Sequence, residues 1–390
     1  MRVCIVGGSI GGLTAALVLE ESGHTVDVFE RSPQVLAQRG AGIGLLPETS
    51  RYLTDVAGVD IDEISIATSS IRYLARDASV EHEVGHAYRF SSWNTVYGRL
   101  LGCINRESYH LGHEMVSWED QGDSVTVSFA DGTSCTADLL VCADGVASSS
   151  RERMHPGLAP RYSGYVAWRG MVREADLDRQ VLARLDDAIT YHVYANSHIL
   201  VYPIPGPGGE TAPGDRSMNF VWYRNYLEGG DLTDLLTGRD GIVRDVSLPP
   251  GTVADRHVSE MRAHAAARLP GPIASIVCAA AEPFVQVVYD LDIPSMVSGR
   301  ACLLGDAAFL GRPHAAAGTA KAADDAWALA SALDSCPTVD EALSGYEASQ
   351  ILVGRGLIER TERIGRRSQT ENSWVPGDPD LIFGLRGPGQ

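Results

Sequence analysis

Residues 2–30, "RVCIVGGSIGGLTAALVLEESGHTVDVFE", constrain this chain more than any other stretch. An apolar, β-rich run stops at Gly7, glycines recur at Gly8, Gly11 and Gly12, and a helical stretch with Leu13, Leu17 and Leu19 follows. A second β-rich run with Val26, Val28 and Phe29 ends in Glu30. The pattern is one strand–helix–strand unit, its helix closing at Gly23, where a left-handed cap suits glycine. A glycine turn leading from strand into helix leaves backbone N–H groups bare for a phosphate, and an acid ending the second strand can accept hydrogen bonds from a ribose. The spacing therefore predicts dinucleotide binding, with Ser9 in place of the middle glycine of G-x-G-x-x-G, so that a pyrophosphate must pass a small hydroxyl.

At 390 residues the chain is long enough for two cores, and its formal net charge of -18 argues against nucleic acid or an anionic membrane as partner. A small ligand is the expectation. The seven cysteines lack any C-x-x-C pair and several sit in apolar runs such as "LLVCADG", so they read as reduced, buried thiols of a cytoplasmic protein, with no metal site. Glycines interrupt the apolar run after Arg2 too early for a secretory signal, and no run has membrane-spanning length. Lys321 is the only lysine; base composition of the genome explains that, and no role is assigned to it.

Further along, the Gly-rich "RGAGIGLLPE" (39–48) precedes a short helical segment near 50–56, and another helix is expected around 96–104. Val125, Val127 and Phe129 alternate before an Asp131-Gly132 turn, which predicts a hairpin, and "ADLLVCADG" returns as a buried strand. From Arg161 to about Asp290, stretches such as "GYVAWRGMV", "ITYHVYANSHILVYPIP" and "MNFVWYRNYL" predict antiparallel sheet, with a loop over 206–215 and a helix over 258–269. This second domain is inserted into the first, because "RACLLGD" and the helix after it return to the α/β pattern. The segment beyond about Arg367 is polar and weakly patterned and is given no structure.

Two more strand-end acid turns, "VCADGVASSSR" and "LLGDAAF", join the opening fingerprint. Together they resemble the class A flavoprotein monooxygenases, the group that includes p-hydroxybenzoate hydroxylase. Within it, "GRPHAAAGTAKAADDAWAL", "GGSIGGLTAAL" and "RGAGIGLLPET" are most similar to the 2,6-dihydroxypyridine 3-hydroxylase subgroup. The resemblance runs from Arg2 to about Arg367. It implies an α/β fold: a Rossmann-like FAD-binding domain in three parts (1–66, 96–160 and 291–367, the last with C-terminal helices), an inserted, mainly antiparallel substrate domain (161–290, joined by strands of 67–95), and a tail at 368–390.

The same resemblance implies FAD as cofactor, with NADH or NADPH as a transient co-substrate, because no second G-x-G-x-x-G unit is visible. It places Ser9, Ile10 and Gly12 at the FAD pyrophosphate, Glu30 and Arg31 at the adenosine ribose, and Arg99 near the phosphates. Val116 would meet the adenine through its backbone, Asp144 would serve flavin and pyridine nucleotide, and Asp306 would hold the ribityl chain or pyrophosphate. Pro313, Gly318 and Thr319 would face the pyrimidine end of the flavin, where the positive end of a helix stabilises charge on the reduced ring. Two departures from the wider family, Ala316 for glycine and Ala320 for asparagine, are shared with the dihydroxypyridine subgroup.

The implied reaction is hydroxylation of an electron-rich aromatic or heteroaromatic by O2 through a flavin C4a-hydroperoxide. His314, beside Pro313 in the turn expected at the flavin, is the candidate general base, since an imidazole titrates near neutrality. His192, Tyr202, Trp222 and Tyr223 on the presumed sheet, with Leu45 and Pro47 opposite, are candidates for the substrate pocket. Epoxidation, Baeyer–Villiger oxygenation or decarboxylative hydroxylation on the same fold, and an NAD-dependent dehydrogenase, remain open alternatives. A homodimer is implied by the family alone.

Overall fold

The computed structural model describes residues 1–36 and 41–390; Arg39 and Gly40 of the glycine-rich stretch lie outside the described residues. Continuous apolar strands demand cover on both faces, which parallel sheets provide. Arg2–Val6 accordingly pairs in parallel with Thr25–Glu30 on one side and Leu139–Cys142 on the other. Tyr109–Leu111 and Ala301–Leu303 extend this sheet outward in parallel, and Val297–Ser298 closes one edge antiparallel. Helices Ile10–Glu21 and Gly318–Ser335 pack side by side; an added Cβ at Gly11 would meet Ala322 at 3.1 Å, so small residues set that approach.

The alternating strands build a second sheet of nine, ordered 247–248, 284–290, 161–173, 217–225, 197–204, 188–194, 66–74, 80–92 and 42–44. All its pairs are antiparallel except Ala188–Tyr194 with Ile66–Leu74. Alternation separates its faces. Val166, Trp168, Met218, Phe220 and Trp222 pack beneath helices Asp255–Arg268 and Gly271–Ala279. Tyr165, Ala167, Leu200, Tyr202, Val221 and Tyr223 occupy the other face, toward the glycine turns. A small sheet, Met115–Asp120, Val125–Phe129 and Ser134–Ala137, carries the expected hairpin, with Gly132 at φ +86° in its turn.

The short segment near 50–56 is a helix, Pro47–Arg51, that widens into a π turn over Tyr52–Val56. All seven cysteines are free; Cys103 and Cys278 are exposed, against the expectation of burial. Among the described residues no helix is long and apolar enough to cross a membrane.

The C-terminal end differs most from its reading. The last helix, Val339–Gln369, passes the point where pattern was lost, and the segment after it is anchored instead of loose. Its order comes from arginine contacts to backbone and carboxylates, including Arg360 to the Gly384 carbonyl at 2.8 Å and Arg367 to Asp378 at 2.6 Å, which leave no periodic trace in sequence.

Candidate active site

A cavity of about 450 Å³ lies between the glycine turns of the first sheet and the aromatic face of the second. Three turns form its floor. In the first, Gly7 takes φ +104°, and a Cβ at Gly12 would stand 1.8 Å from the Gly7 carbonyl oxygen, so helix and strand meet only through glycine. Ser9, Ile10 and Gly11 line the cavity from the start of helix Ile10–Glu21, whose end carries no side-chain cap; the Ser9 hydroxyl is not spent on one. Glu30 is 7% exposed and stands behind this turn, accepting from the Gly8 and Ser32 N–H groups, each at 2.9 Å. It ties the fingerprint to the second strand and does not line the cavity, nor does the exposed Arg31 beside it.

The second turn contributes Ala143, Gly145 and Val146. Asp144 points away: it accepts from the Ser148 hydroxyl at 2.6 Å and from the Ser150 N–H at 3.0 Å and hydroxyl at 2.9 Å, bracing the start of helix Ser149–Met154. Its contacts are those of a turn brace instead of a nucleotide ligand. Buried Arg151 fastens this turn to the third, donating to the carbonyls of Val146 at 2.7 Å and Ala307 at 3.2 Å.

The third turn presents Asp306 to the cavity from Gly305, whose left-handed φ of +63° glycine tolerates. The Asp306 carboxyl is open to the cavity yet ringed by protein, and that enclosure pushes its pKa up to about 6 against the pull of Arg151 and Lys321. Helix Gly318–Ser335 also begins uncapped, and Pro313, Ala316, Ala317, Gly318 and Thr319 bring its bare N-terminus to the cavity. Ala316 is held at φ +54°, the left-handed position that the wider family's glycine would fill without strain.

The sheet supplies Phe90, Ala167, Arg169, Leu200, Tyr202, Val221, Tyr223 and Gln286. Phe90 stacks on Tyr202 with ring centres 4.2 Å apart, and the Tyr202 hydroxyl donates to the Gly42 carbonyl at 3.0 Å. Arg169 was not singled out by its sequence, although the two-residue period of "GYVAWRGMV" puts it on the same face as Ala167. Its guanidinium donates to Gln286 Oε1 at 2.9 Å and to the Gly42 carbonyl, and its Nε has no partner.

Several expected pocket residues face elsewhere. Trp222 precedes Tyr223 on one strand, so it points to the opposite face and is buried under the helices, its indole donating to the Ser197 hydroxyl at 3.0 Å. His192 likewise faces away, its Nδ1 2.8 Å from the Leu74 carbonyl. Leu45 is buried in the core of the first domain and Pro47 opens a helix at the surface; Gly42, Ile43 and Gly44 line the cavity in their place. Arg99 is half-exposed and pairs with Glu63 at 3.2 Å, and Val116 sits 59% exposed at a bulge that leaves its backbone out of the ladder. Neither reaches the cavity.

His314 requires the largest correction. The 3-10 turn Pro313–Ala315 puts Pro313 on the cavity and turns His314 behind it, 6% exposed, with Nε2 2.7 Å from the Tyr165 hydroxyl. Its ring packs against Tyr223 at 4.7 Å and His198 at 5.3 Å. Burial, then the neighbouring His198 and Arg312, push its pKa well below the ordinary histidine range, so it is neutral. Burial likewise drives His198 down to about 3. The imidazole does not line the cavity, and its lowered pKa makes it a weak base, so its position does not suit it to take a proton from a molecule there. His314→Ala is expected to lower stability by about 1–3 kcal/mol, because the Tyr165 hydroxyl loses its partner, and to slow flavin reduction and substrate oxygenation alike. Urea unfolding with stopped-flow measurement of both half-reactions checks this; selective loss of oxygenation would restore His314 as the base.

Similarity to known proteins agrees with this geometry. The family model for an NAD(P)-binding Rossmann-like domain matches residues 5–37, and the FAD binding domain-like model matches residues 162–290. The 2,6-dihydroxypyridine 3-monooxygenase of Paenarthrobacter nicotinovorans is 38% identical over 387 residues, 98% of this chain and 96% of that protein. The solved structure of 2,6-dihydroxypyridine-3-hydroxylase from Arthrobacter nicotinovorans superposes with a TM-score of 0.94 at 36% identity, covering 100% of this chain and 98% of that one. An FAD-dependent urate hydroxylase of Klebsiella pneumoniae is 27% identical over 399 residues, 96% of this chain and 93% of that protein. Full-length likeness to oxygenases sets aside the dehydrogenase alternative. The chain therefore belongs to the class A flavoprotein monooxygenases, the FAD-dependent aromatic hydroxylases.

Proposed function

We propose that this protein hydroxylates a small, acidic, electron-rich ring of the hydroxypyridine or phenol class, using FAD, NADH or NADPH, and O2. FAD suits the residues present. Two uncapped helix N-termini meet at one cavity, the glycines of the first turn let strand and helix pack closely enough to bring their backbone there, and Asp306 offers a carboxylate to hydroxyl groups. Such a carboxylate repels a pyrophosphate, so the ribityl chain is the partner assigned to it, with the phosphates at Ser9 and Ile10. Bound FAD supplies the ring that takes hydride from the nicotinamide and activates dioxygen for transfer.

The observation that carries the substrate class is Arg169. Among the described residues it is the one cation lining the cavity, on a sheet wall otherwise built from aromatic, aliphatic, amide and hydroxyl side chains. A hydroxylated ring entering here as its anion balances that charge, and an ionised ring is the more nucleophilic toward an electrophilic oxygen. Arg169 thereby takes over the task assigned to a base: it favours the deprotonated substrate instead of removing the proton. Tyr202, Tyr223 and Phe90 hold the ring plane, and the apolar residues around them exclude water.

Arg169→Met is expected to keep bound FAD and to lower substrate-stimulated NADH oxidation by about 100-fold with 2,6-dihydroxypyridine as probe, chiefly through KM. Activity should recover partly as pH rises toward the free substrate's own pKa. Steady-state kinetics from pH 6 to 10 test this, and an unchanged pH profile would refute the anion-holding role.

A further inference from the structure

We propose that Phe383, carried on the C-terminal strap, is a specificity-determining residue that limits the substrate to a single ring; the proposal rests on the aromatic-hydroxylase reading above. The strap, residues 370–390, contains no strand and a single short 3-10 turn, Pro379–Leu381, among irregular turns and bends, so its position depends on anchors. Asn372 exchanges hydrogen bonds with Asn196 at 2.7 and 3.0 Å. Buried Arg360 donates to the carbonyls of Asp380 at 3.3 Å, Gly384 at 2.8 Å and Ile382. On the far side Arg386 grips Asp324 with two contacts of 2.8 Å.

Phe383 lies between these anchors with its backbone fully committed. Its N–H donates to the Tyr88 hydroxyl at 2.9 Å, and its carbonyl accepts from the Gly389 N–H at 2.9 Å. That leaves only the side chain free to serve the cavity. The ring is 6% exposed, lines the cavity and lies 4.6 Å from the Tyr88 ring, which in turn meets Phe90 at 6.0 Å. The aromatic row of the sheet thus continues onto the strap. Phe383 covers the place where the edge strand Gly42–Gly44 meets the turn at Ala316: a Cβ at Gly44 would stand 2.6 Å from the Ala316 Cβ and 3.7 Å from Phe383 itself. A phenyl group fixed at both backbone ends therefore bounds how far a flat ligand can extend along this wall.

The test uses the FAD-loaded enzyme and four forms: wild type, Phe383→Ala, Phe383→Leu and Arg386→Ala. One-ring 2,6-dihydroxypyridine and two-ring 2,4-dihydroxyquinoline are titrated against the visible spectrum of the bound flavin, and KM and kcat follow from NADH oxidation. Phe383→Ala is expected to shift the binding ratio toward the two-ring probe by at least about 10-fold, raising KM for the one-ring probe more than it lowers kcat. Phe383→Leu should fall between, and Arg386→Ala should shift the ratio in the same direction by less. An unchanged ratio at normal flavin content overturns the proposal. So does loss of FAD from both Phe383 variants, since that assigns the ring a structural role. Because the ratio is read by binding, a wild type that binds both probes without hydroxylating either would refute the functional reading while the Phe383 shift is still measured.

Discussion

Lys321→Met is expected to destabilise the protein by about 3–5 kcal/mol, the range for removing one partner of a buried ion pair. Lys321 is 2% exposed and its partner Asp325, one turn along the same helix, is fully buried. Asp325 has further duties. Its Oδ2 accepts from the Gly305 N–H at 2.9 Å, and Gln350, with its amide nitrogen turned toward the carboxylates, reaches Oδ1 at 2.9 Å. The ring of Phe309 lies 5.3 Å from the ammonium. The lysine thus supports the carboxylate that holds the turn presenting Asp306.

Burial raises the Asp325 pKa while Lys321 opposes it, so loss of the lysine raises it further. A folded-state carboxyl titrating above its unfolded value retains a proton that the unfolded chain releases. Stability therefore falls as pH climbs through that window, and the deficit of Lys321→Met should be larger at pH 8 than at pH 5. Pairing the change with Asp325→Asn keeps an acceptor for Gly305 and removes the stranded charge, so the double variant should regain most of the loss. Urea midpoints of the three forms decide the matter: a single-variant deficit under about 1 kcal/mol, the typical value of an exposed pair, would mean that the pair is not load-sharing with the turn.

How much of this was legible beforehand follows from the range of the forces involved. The opening unit could be read because every signal in it is local: glycines at the strand–helix turn, apolar strands, Glu30 at the second strand's end. The same holds for Asp306, Pro313, Gly318 and Thr319, which line the cavity from one contiguous motif. On the second sheet the reading failed where it ignored the two-residue period, since Trp222 and Tyr223 are neighbours and cannot share a face. The same period, applied from Ala167, reaches Arg169. His314 shows a different limit: it follows Pro313 directly, yet the tight turn that holds both, a matter of dihedral angles and tertiary packing, decides which side chain meets the cavity. The strap was invisible for a third reason, because its order lies in arginine contacts spanning up to tens of residues, such as Arg386 to Asp324.

Asp306→Ala is expected to weaken FAD binding by about 10–100-fold, the worth of charge-assisted hydrogen bonds to a carboxylate, and the variant should purify largely colourless. The ionised form does this work, because only a carboxylate can accept from two ribityl hydroxyls without itself donating. With its pKa pushed up to about 6 by enclosure, Asp306 gains a proton as pH falls from 7 to 5, and the affinity of the apoprotein for FAD should fall over the same interval. Asp306→Asn, similar in shape and unable to ionise, should bind FAD weakly at every pH in that range. Apoprotein stability runs the opposite way. A carboxyl whose folded pKa lies above its unfolded value, near 4, contributes less stability as pH rises through the interval, so apo Asp306→Asn should exceed the apo wild type in stability above pH 6 and approach it at pH 4. Titration of the apoproteins with FAD by flavin fluorescence, alongside urea unfolding at each pH, separates the two effects. A wild-type affinity that stays constant from pH 5 to 7 would show that Asp306 does not hold the cofactor through its charge.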